Sequence, residues 1–295
     1  MAIPATEPAH RLDELTTFRL GGRPTHYLRP RGYGELAAAL HQLRRDGTPW
    51  RVLGGGSNVL AEDGRLSFAV IHICSPRFRW MRWQDETTLQ VGAGMRLPAL
   101  LARCAGRGAG GLEFLAGIPG TLGGAIAGNA GAWDHEIAEA ITSVGVAEPD
   151  GTFRTLDADE LDWQYRGLDL GRRVIVEATL DLQKRSASLV KERIRSLKKE
   201  KISRHPVTQN SAGCIFKNPP DESAGRLIDE CGLKGQEMGG ARVSERHANF
   251  IVNTGNASPS DVIALMQKVK REVKEQFGVE LETEVQRWHA APRVA

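Results

Sequence analysis

An α+β architecture is the expectation for this chain of 295 residues, and three observations carry it. Stretches of alternating strand pattern and stretches of helical period follow one another without settling into a repeating strand–helix series. The apolar fraction of 41% suffices to fill a packed core. Most of the 33 glycines lie before the middle of the chain, often beside other small residues, a composition that brings backbone close to something else.

Taken in order, Gly34 to Arg45 places Leu36, Ala39, Leu40 and Leu43 on one helical face and stops at Gly47. TPWRVLGGGSNVL reads as a short strand running into a glycine turn, and Phe68 to Ile73 and Thr88 to Val91 as two further strands. Pro98 to Cys104 suits a helix with proline in its first turn. ITSVGVAEPDGTFRTL is a hairpin, because Glu148-Pro149-Asp150-Gly151 supplies turn chemistry between two alternating runs. Arg173 to Leu182 alternates Val174, Val176, Ala178 and Leu180 on one strand face. Ala187 to Arg204 is a charged helix marking a boundary between two halves, its lysines a solvated face. Short strands are expected around Gly213 to Phe216 and Asn249 to Val252. In the last clear helix Ser258 and Asp261 make a capping-box-like pair, Pro259 takes the first position, and Val262, Leu265, Met266, Val269 and Val273 line one face before Gly278.

The net charge of +3 is spread along the chain, which argues against a nucleic-acid groove and suits a small anionic substrate. No stretch approaches the roughly 20 apolar residues of a membrane span, and MAIPATEPAHRLDE lacks the cationic start and apolar run of a secretion signal. A cytoplasmic address is expected. Cys74, Cys104, Cys214 and Cys231 form neither a CxxC pair nor a metal-ligand spacing with histidine, so no disulfide framework and no metal site are expected.

Two glycine clusters stand out: Gly54-Gly55-Gly56-Ser57-Asn58 after a strand, and the run from Gly117 to Gly131. Neither is a GxGxxG fingerprint opening a helix, and neither continues into the Gly-Lys-Ser/Thr of a P-loop. Such runs present unshielded backbone N–H groups, which can cradle a diphosphate as a nest, and let the chain lie flat against a planar ring. The bland reading, tight turns and close packing, is level with a ligand role for the first cluster and falls behind for the second.

TTFRLGG (Thr16 to Gly22), LGGGSNVL (Leu53 to Leu60), GLEFLAGIPGTLGGAIAGNAGAW (Gly111 to Trp133), YR (Tyr165-Arg166), SAGCIFKNP (Ser211 to Pro219), AGRLIDECGLKG (Ala224 to Gly235), HANFIVN (His247 to Asn253) and LETEV (Leu281 to Val285) occur in the order expected of the UDP-N-acetylenolpyruvoylglucosamine reductase family. The resemblance covers nearly the whole chain. It implies an FAD-binding domain of the vanillyl-alcohol-oxidase type over residues 1–185, with α/β subdomains of about 1–75 and 76–185. An α/β substrate-binding domain follows over 186–295, its last strand returning toward the flavin. Passage from YRGLDLGRRVIVEATL straight into the next domain resembles the shorter family form, which lacks an inserted tyrosine-bearing loop.

The activity so implied is NADPH-dependent, FAD-mediated reduction of UDP-N-acetylglucosamine enolpyruvate to UDP-N-acetylmuramate in peptidoglycan synthesis, with no nucleic-acid, membrane or obligate protein partner. By motif, Gly54, Gly55, Gly56, Ser57 and Asn58 hold the FAD diphosphate. Gly117, Ile118, Pro119, Gly120, Thr121, Gly123, Gly124, Ala125, Gly128, Asn129 and Gly131 face the flavin ring, and Trp133 ends that run. Hydride delivered to the enolpyruvyl group leaves an enolate, which the resemblance assigns to Arg166 and Glu284: a guanidinium fork pairs with the carboxylate, and a protonated carboxyl donates to the developing charge. The final proton comes in most relatives from a serine in the SxFKNP motif, and this chain has Cys214 there. A thiol, with a reference pKa of about 8.5, is a far stronger acid than an alcohol, but is lost as a donor once ionised. Lys217 and Asn218 suit a UDP diphosphate, and His247 divides evenly between substrate contact and a structural hydrogen bond. Glu282, two positions from Glu284, competes with it for assignment. The rival readings are another FAD oxidoreductase of this fold, which leaves Arg166, Cys214 and Glu284 in their motifs unexplained, and a UDP-sugar-binding regulator without catalysis.

Overall fold

In the computed structural model, which describes residues 5–7 and 10–289, alternation along the strand Val174–Asp181 sets the centre of the largest sheet. Val174, Val176, Ala178 and Leu180 are all buried, as their spacing requires. The sheet has five antiparallel strands in the order Phe153–Asp157, Ile141–Ala147, Val174–Asp181, Thr88–Gly92 and Met81–Trp83. The expected hairpin forms its Ile141–Ala147 and Phe153–Asp157 edge, with Ala147 opposite Phe153 across the Glu148–Gly151 turn.

The chain divides into two units among the described residues: 5–7, 26–55 and 68–201 in the first, 10–25, 56–67 and 202–289 in the second. The first unit adds the helix Tyr33–Arg45, which buries Leu36, Ala39, Leu40 and Leu43, and the helix Leu97–Arg107, which opens with Pro98 and closes at Gly108 with φ +74. Trp50–Leu53 pairs in parallel with Arg65–His72, setting Leu53 across from His72. These elements share one apolar core reaching from Leu28 to Leu197.

The second unit is built on the helix Pro259–Phe277. Ser258 Oγ accepts from the Asp261 N–H at 3.1 Å, the Asp261 carboxylate accepts from the Ser258 N–H at 2.8 Å, and Gly278 ends the helix at φ +71. Its apolar stripe packs on a three-stranded sheet, Glu237–Met238, Ala241–Val243 and Ile251–Asn253, and on the short helix Ala224–Glu230. Gln286–Trp288 pairs in parallel with Val59–Ala61.

Two elements depart from expectation. Gly213 to Phe216 is not a strand: Cys214 and Phe216 make single bridges to Phe250 and Thr283, and Gly213 at φ +80 interrupts the extended run. The glycine-rich centre contains a helix, Leu122–Ala127. Among the described residues no helix is long and apolar enough to cross a membrane, and the opening segment read for a secretion signal falls partly outside them.

Leu265 is fully buried in the second core, so Leu265→Ala should cost about 2–5 kcal/mol of unfolding free energy. Gln267→Ala, on the exposed face of the same helix, should stay within about 0.5 kcal/mol. Urea unfolding of both variants checks this; equal losses would contradict the placement of the core.

Candidate active site

In the first unit the two glycine segments touch. A Cβ added at Gly54 would lie 2.5 Å from Thr121 Oγ1, and one at Gly55 2.6 Å from the Gly120 Cα. Neither position has room for a side chain, so the turn after Leu53 and the start of the small-residue run meet backbone to backbone. Gly55 is nevertheless exposed on its other side. Among the described residues its N–H donates to no backbone carbonyl, leaving it available to an anion.

The run from Gly117 to Gly131 is more ordered than its composition suggests. Thr121 caps the helix Leu122–Ala127, its Oγ1 accepting from the Gly124 N–H at 3.4 Å. Leu122 and Gly123 donate to Met95 and Ala93, and Ala125, Gly128, Asn129 and Ala130 donate within the run. Those N–H groups are therefore already used. Gly123 packs on Ala93, where a Cβ would lie 2.9 Å from the alanine methyl, and Ala125 is in the core. Pro119, Gly124 and Ala127 are exposed, and together with Gly55 they offer an accessible surface with little side chain. An FAD diphosphate and a flat ring fit this combination of an unused donor and a bare surface.

Arg166 joins the far end of the same run. Tyr165-Arg166 turns between the strands Asp162–Gln164 and Gly167–Asp169, with Arg166 at φ +58. Its Nη1 donates to Glu136 Oε1 at 3.2 Å and lies 2.5 Å from where a Gly131 Cβ would be. The Asn129 amide, 1% exposed, donates to Glu136 Oε2 at 2.6 Å and to the Gln164 carbonyl at 3.0 Å. Glu136 thus holds both the guanidinium and the buried amide, and nothing in its local sequence had marked it. It is aimed by a hairpin whose turn residues Trp133 and Asp134 have φ of +52 and +61. Four of the seven non-glycine residues at positive φ among the described residues (Asn129, Trp133, Asp134 and Arg166) lie here. Backbone held in this region persists only where the surrounding contacts fix it. Lys201 adds a cation that had been read as solvated: its stem lies over Gly117, where an added Cβ would be 3.3 Å from the Lys201 Cβ, and its ammonium lies 5.3 Å from the Trp133 ring centroid.

In the second unit, the segment from Ser211 to Pro219 runs between two others. Ile215 donates to the Asn249 carbonyl at 2.9 Å and accepts from the Glu284 N–H at 2.8 Å. The Asn249 side chain brackets Phe216, accepting from its N–H at 2.9 Å and donating to its carbonyl at 2.8 Å. Cys214 and Glu284, 70 positions apart in the sequence, are thereby held on adjacent backbone, both half-buried. Asn58 ties in as well, donating to the Glu284 carbonyl at 3.2 Å; its Oδ1 is buried without a hydrogen-bond partner. Gly56 packs on the Leu15 carbonyl at φ +65.

The supporting residues divide. Lys217 Nζ pairs with Glu282 Oε1 at 3.0 Å, and Glu282 is largely exposed, which separates it from the half-buried Glu284. Asn218 Oδ1 accepts from the Ala224 N–H at 3.1 Å and so helps cap the helix Ala224–Glu230. His247 Nδ1 accepts from the Asn249 N–H at 3.2 Å, and its ring packs 4.7 Å from that of His205 and 5.2 Å from that of Phe250. Burial pushes the Cys104 thiol up to about 12 and also raises those of Cys74 and Cys231. None of those three is a ready proton donor. Among the described residues no cluster of three metal-ligating side chains occurs.

Comparison with known proteins bears on these arrangements directly. Residues 24–157 match the model of an FAD binding domain, and residues 205–288 match that of the UDP-N-acetylenolpyruvoylglucosamine reductase C-terminal domain. A reductase of that name from Moorella thermoacetica is 40% identical over 278 residues, covering 94% of this chain and 91% of its own. The chain belongs to the UDP-N-acetylenolpyruvoylglucosamine reductase family. A second family member, from Nitrosococcus oceani, is 44% identical over 271 residues, 92% of this chain and 90% of the relative. The crystal structure of the family enzyme from Thermus caldophilus superposes with a TM-score of 0.82 at 36% identity, covering 95% of this chain and 98% of that one. Family membership makes the chain an FAD-dependent oxidoreductase with the α+β fold and FAD-binding domain that its motifs implied.

Gly55→Ala should lower the FAD content of the purified protein, because its methyl would meet Gly120. Gly34→Ala, with nothing within 4 Å, should not. Flavin absorbance per mole of protein checks both; full FAD occupancy in Gly55→Ala would contradict the contact.

Proposed function

We propose that Arg166, Cys214 and Glu284 carry the chemistry of the family reaction in this chain. That reaction is the NADPH-dependent, FAD-mediated reduction of UDP-N-acetylglucosamine enolpyruvate to UDP-N-acetylmuramate in peptidoglycan synthesis. When bound, FAD would supply the hydride-transfer chemistry between NADPH and the enolpyruvyl group. The chain's residues bind and manage charge. Gly54, Gly55, Gly56, Ser57 and Asn58 hold the diphosphate of the cofactor, and the Gly117 to Gly131 run faces its ring. Arg166 is an oriented fork for the substrate carboxylate, its angle set by Glu136. Glu284, protonated, donates to the enolate oxygen, and the Cys214 thiol delivers a proton to the remaining carbanion carbon. Lys217, Asn218 and His247 contact the sugar nucleotide.

The observation that carries this reading is the crossing at Ile215, where one backbone carbonyl fastens the Glu284 segment to the residue after Cys214. A proton donor and an anion stabiliser serving the same carbon pair require such fixed proximity. The domain boundary belongs to the proposal: residues 1–185 bind FAD, in subdomains of about 1–75 and 76–185, and residues 186–295 bind the substrate. So does a cytoplasmic site of action, without nucleic-acid, membrane or obligate protein partner, since both NADPH and the UDP-sugar are small soluble anions.

Proton delivery belongs to the second half-reaction only. Cys214→Ala should leave flavin reduction by NADPH unchanged and slow flavin reoxidation by the enolpyruvyl substrate by about 10² to 10⁴-fold in stopped flow; equal losses in both halves would refute the role. Thiol ionisation removes the donor, so the rate should fall at alkaline pH. That limb should vanish in Cys214→Ser, and an unchanged profile would rule out thiol titration.

A further inference from the structure

His72 sits at the end of the strand Arg65–His72, directly across from Leu53, the last residue before the glycine turn. Its neighbours Ile71 and Ile73 point into the core, while the half-buried imidazole lies on the other strand face. His72 Nε2 is 3.0 Å from the Gly54 carbonyl oxygen, and Nδ1 is 2.7 Å from the Tyr27 hydroxyl. A carbonyl only accepts, so Nε2 carries the hydrogen; in the neutral ring Nδ1 then accepts from Tyr27. Tyr27 is 3% exposed, and burial holds its hydroxyl well above the usual tyrosine range, keeping it a donor. The chain of bonds is therefore directional: Tyr27 sets the tautomer of His72, and His72 fixes the Gly54 carbonyl.

A peptide is planar, with its C=O and N–H pointing in opposite directions. Fastening the Gly54 carbonyl to His72 consequently turns the Gly55 N–H away from the imidazole. That N–H donates to no backbone carbonyl among the described residues, and Gly55 is exposed. Glycine at 54 and 55, free of side-chain constraint, would otherwise let this peptide rotate at little cost. The contact of Gly54 with Thr121 blocks a side chain but gives no hydrogen bond that would orient the plane.

We propose that His72, oriented by Tyr27, is a positioning residue that presets the Gly55 N–H for the diphosphate of FAD. The inference rests on the assignment of the glycine turn to that diphosphate.

The geometry separates the replacements. Glutamine places its amide N–H near the histidine Nε2 position and can still donate to the Gly54 carbonyl; asparagine is too short, and phenylalanine fills the space without a donor. FAD binding to deflavinated wild-type, His72→Gln, His72→Asn, His72→Phe and Tyr27→Phe protein, read by flavin fluorescence, tests the proposal, with thermal midpoints confirming folding. The dissociation constant should stay within about threefold in His72→Gln and rise by about tenfold or more in His72→Asn and His72→Phe, the scale of one net hydrogen bond. Tyr27→Phe should weaken binding when His72 is present and have no effect when it is already phenylalanine. Binding by His72→Phe as tight as wild type, or better than by His72→Gln, would overturn the positioning role, because a packing role favours the ring. FAD binding by the Gly55→Ala variant as tight as by wild-type protein would instead overturn the underlying assignment of the turn.

Discussion

The close approach of Gly54 and Gly55 to Thr121 and Gly120 is the constraint around which the first unit is arranged. Interiors are packed at crystal-like density, so a methyl at Gly55 would have to displace the Gly120 backbone and one at Gly54 the Thr121 hydroxyl. The contact is supported from both directions. Leu97 donates to the Gly120 carbonyl at 3.1 Å and Leu122 to that of Met95 at 2.8 Å, tying the small-residue run to the start of a long helix. On the other side, the Trp50–Leu53 strand delivers Gly54 to the same place through its pairing with Arg65–His72. The glycines answer to packing first, and their bare outer face is what remains for a ligand.

A comparable arrangement governs the second unit. Asn249, 3% exposed, satisfies both backbone groups of Phe216, and Ile215 links that segment to Glu284. Buried polar groups that are fully paired rigidify what they join. Cys214 directly precedes these bonds and so sits on a firm frame, which suits the proton-delivering role proposed for it. In that proposed role a thiol is a stronger acid than a serine hydroxyl, at the cost of sensitivity to alkali and oxidants.

Much of this was legible in the sequence where periodicity or capping chemistry spoke. The helices Ala187–Arg204 and Pro259–Phe277, the hairpin around Pro149-Asp150 and the strand Val174–Asp181 all announce themselves by spacing. Leu122–Ala127 does not, because glycine and alanine carry no amphipathic signal; the helix depends on the Thr121 cap and on burying Leu122 and Ile126. Ala224–Glu230 is short and takes part of its capping from Asn218, six positions before it. At the site, motif resemblance supplied Arg166, Cys214 and Glu284. Glu136 and His72 were invisible, since each matters only through a partner distant in sequence, Arg166 in one case and Gly54 in the other. The lysine stem over Gly117 was missed for a similar reason, being one cation among many on a charged helix.

On the proposed reading, the small residues offer a surface to the flavin, and Arg166, Cys214 and Glu284 manage the charge of the enolate. The most direct test is an anaerobic titration of the purified protein followed by visible absorption. Flavin bands that bleach on NADPH addition and return on addition of UDP-N-acetylglucosamine enolpyruvate are the predicted result. A colourless protein that takes up no added FAD, or bands that bleach and do not recover with that substrate, would contradict the account.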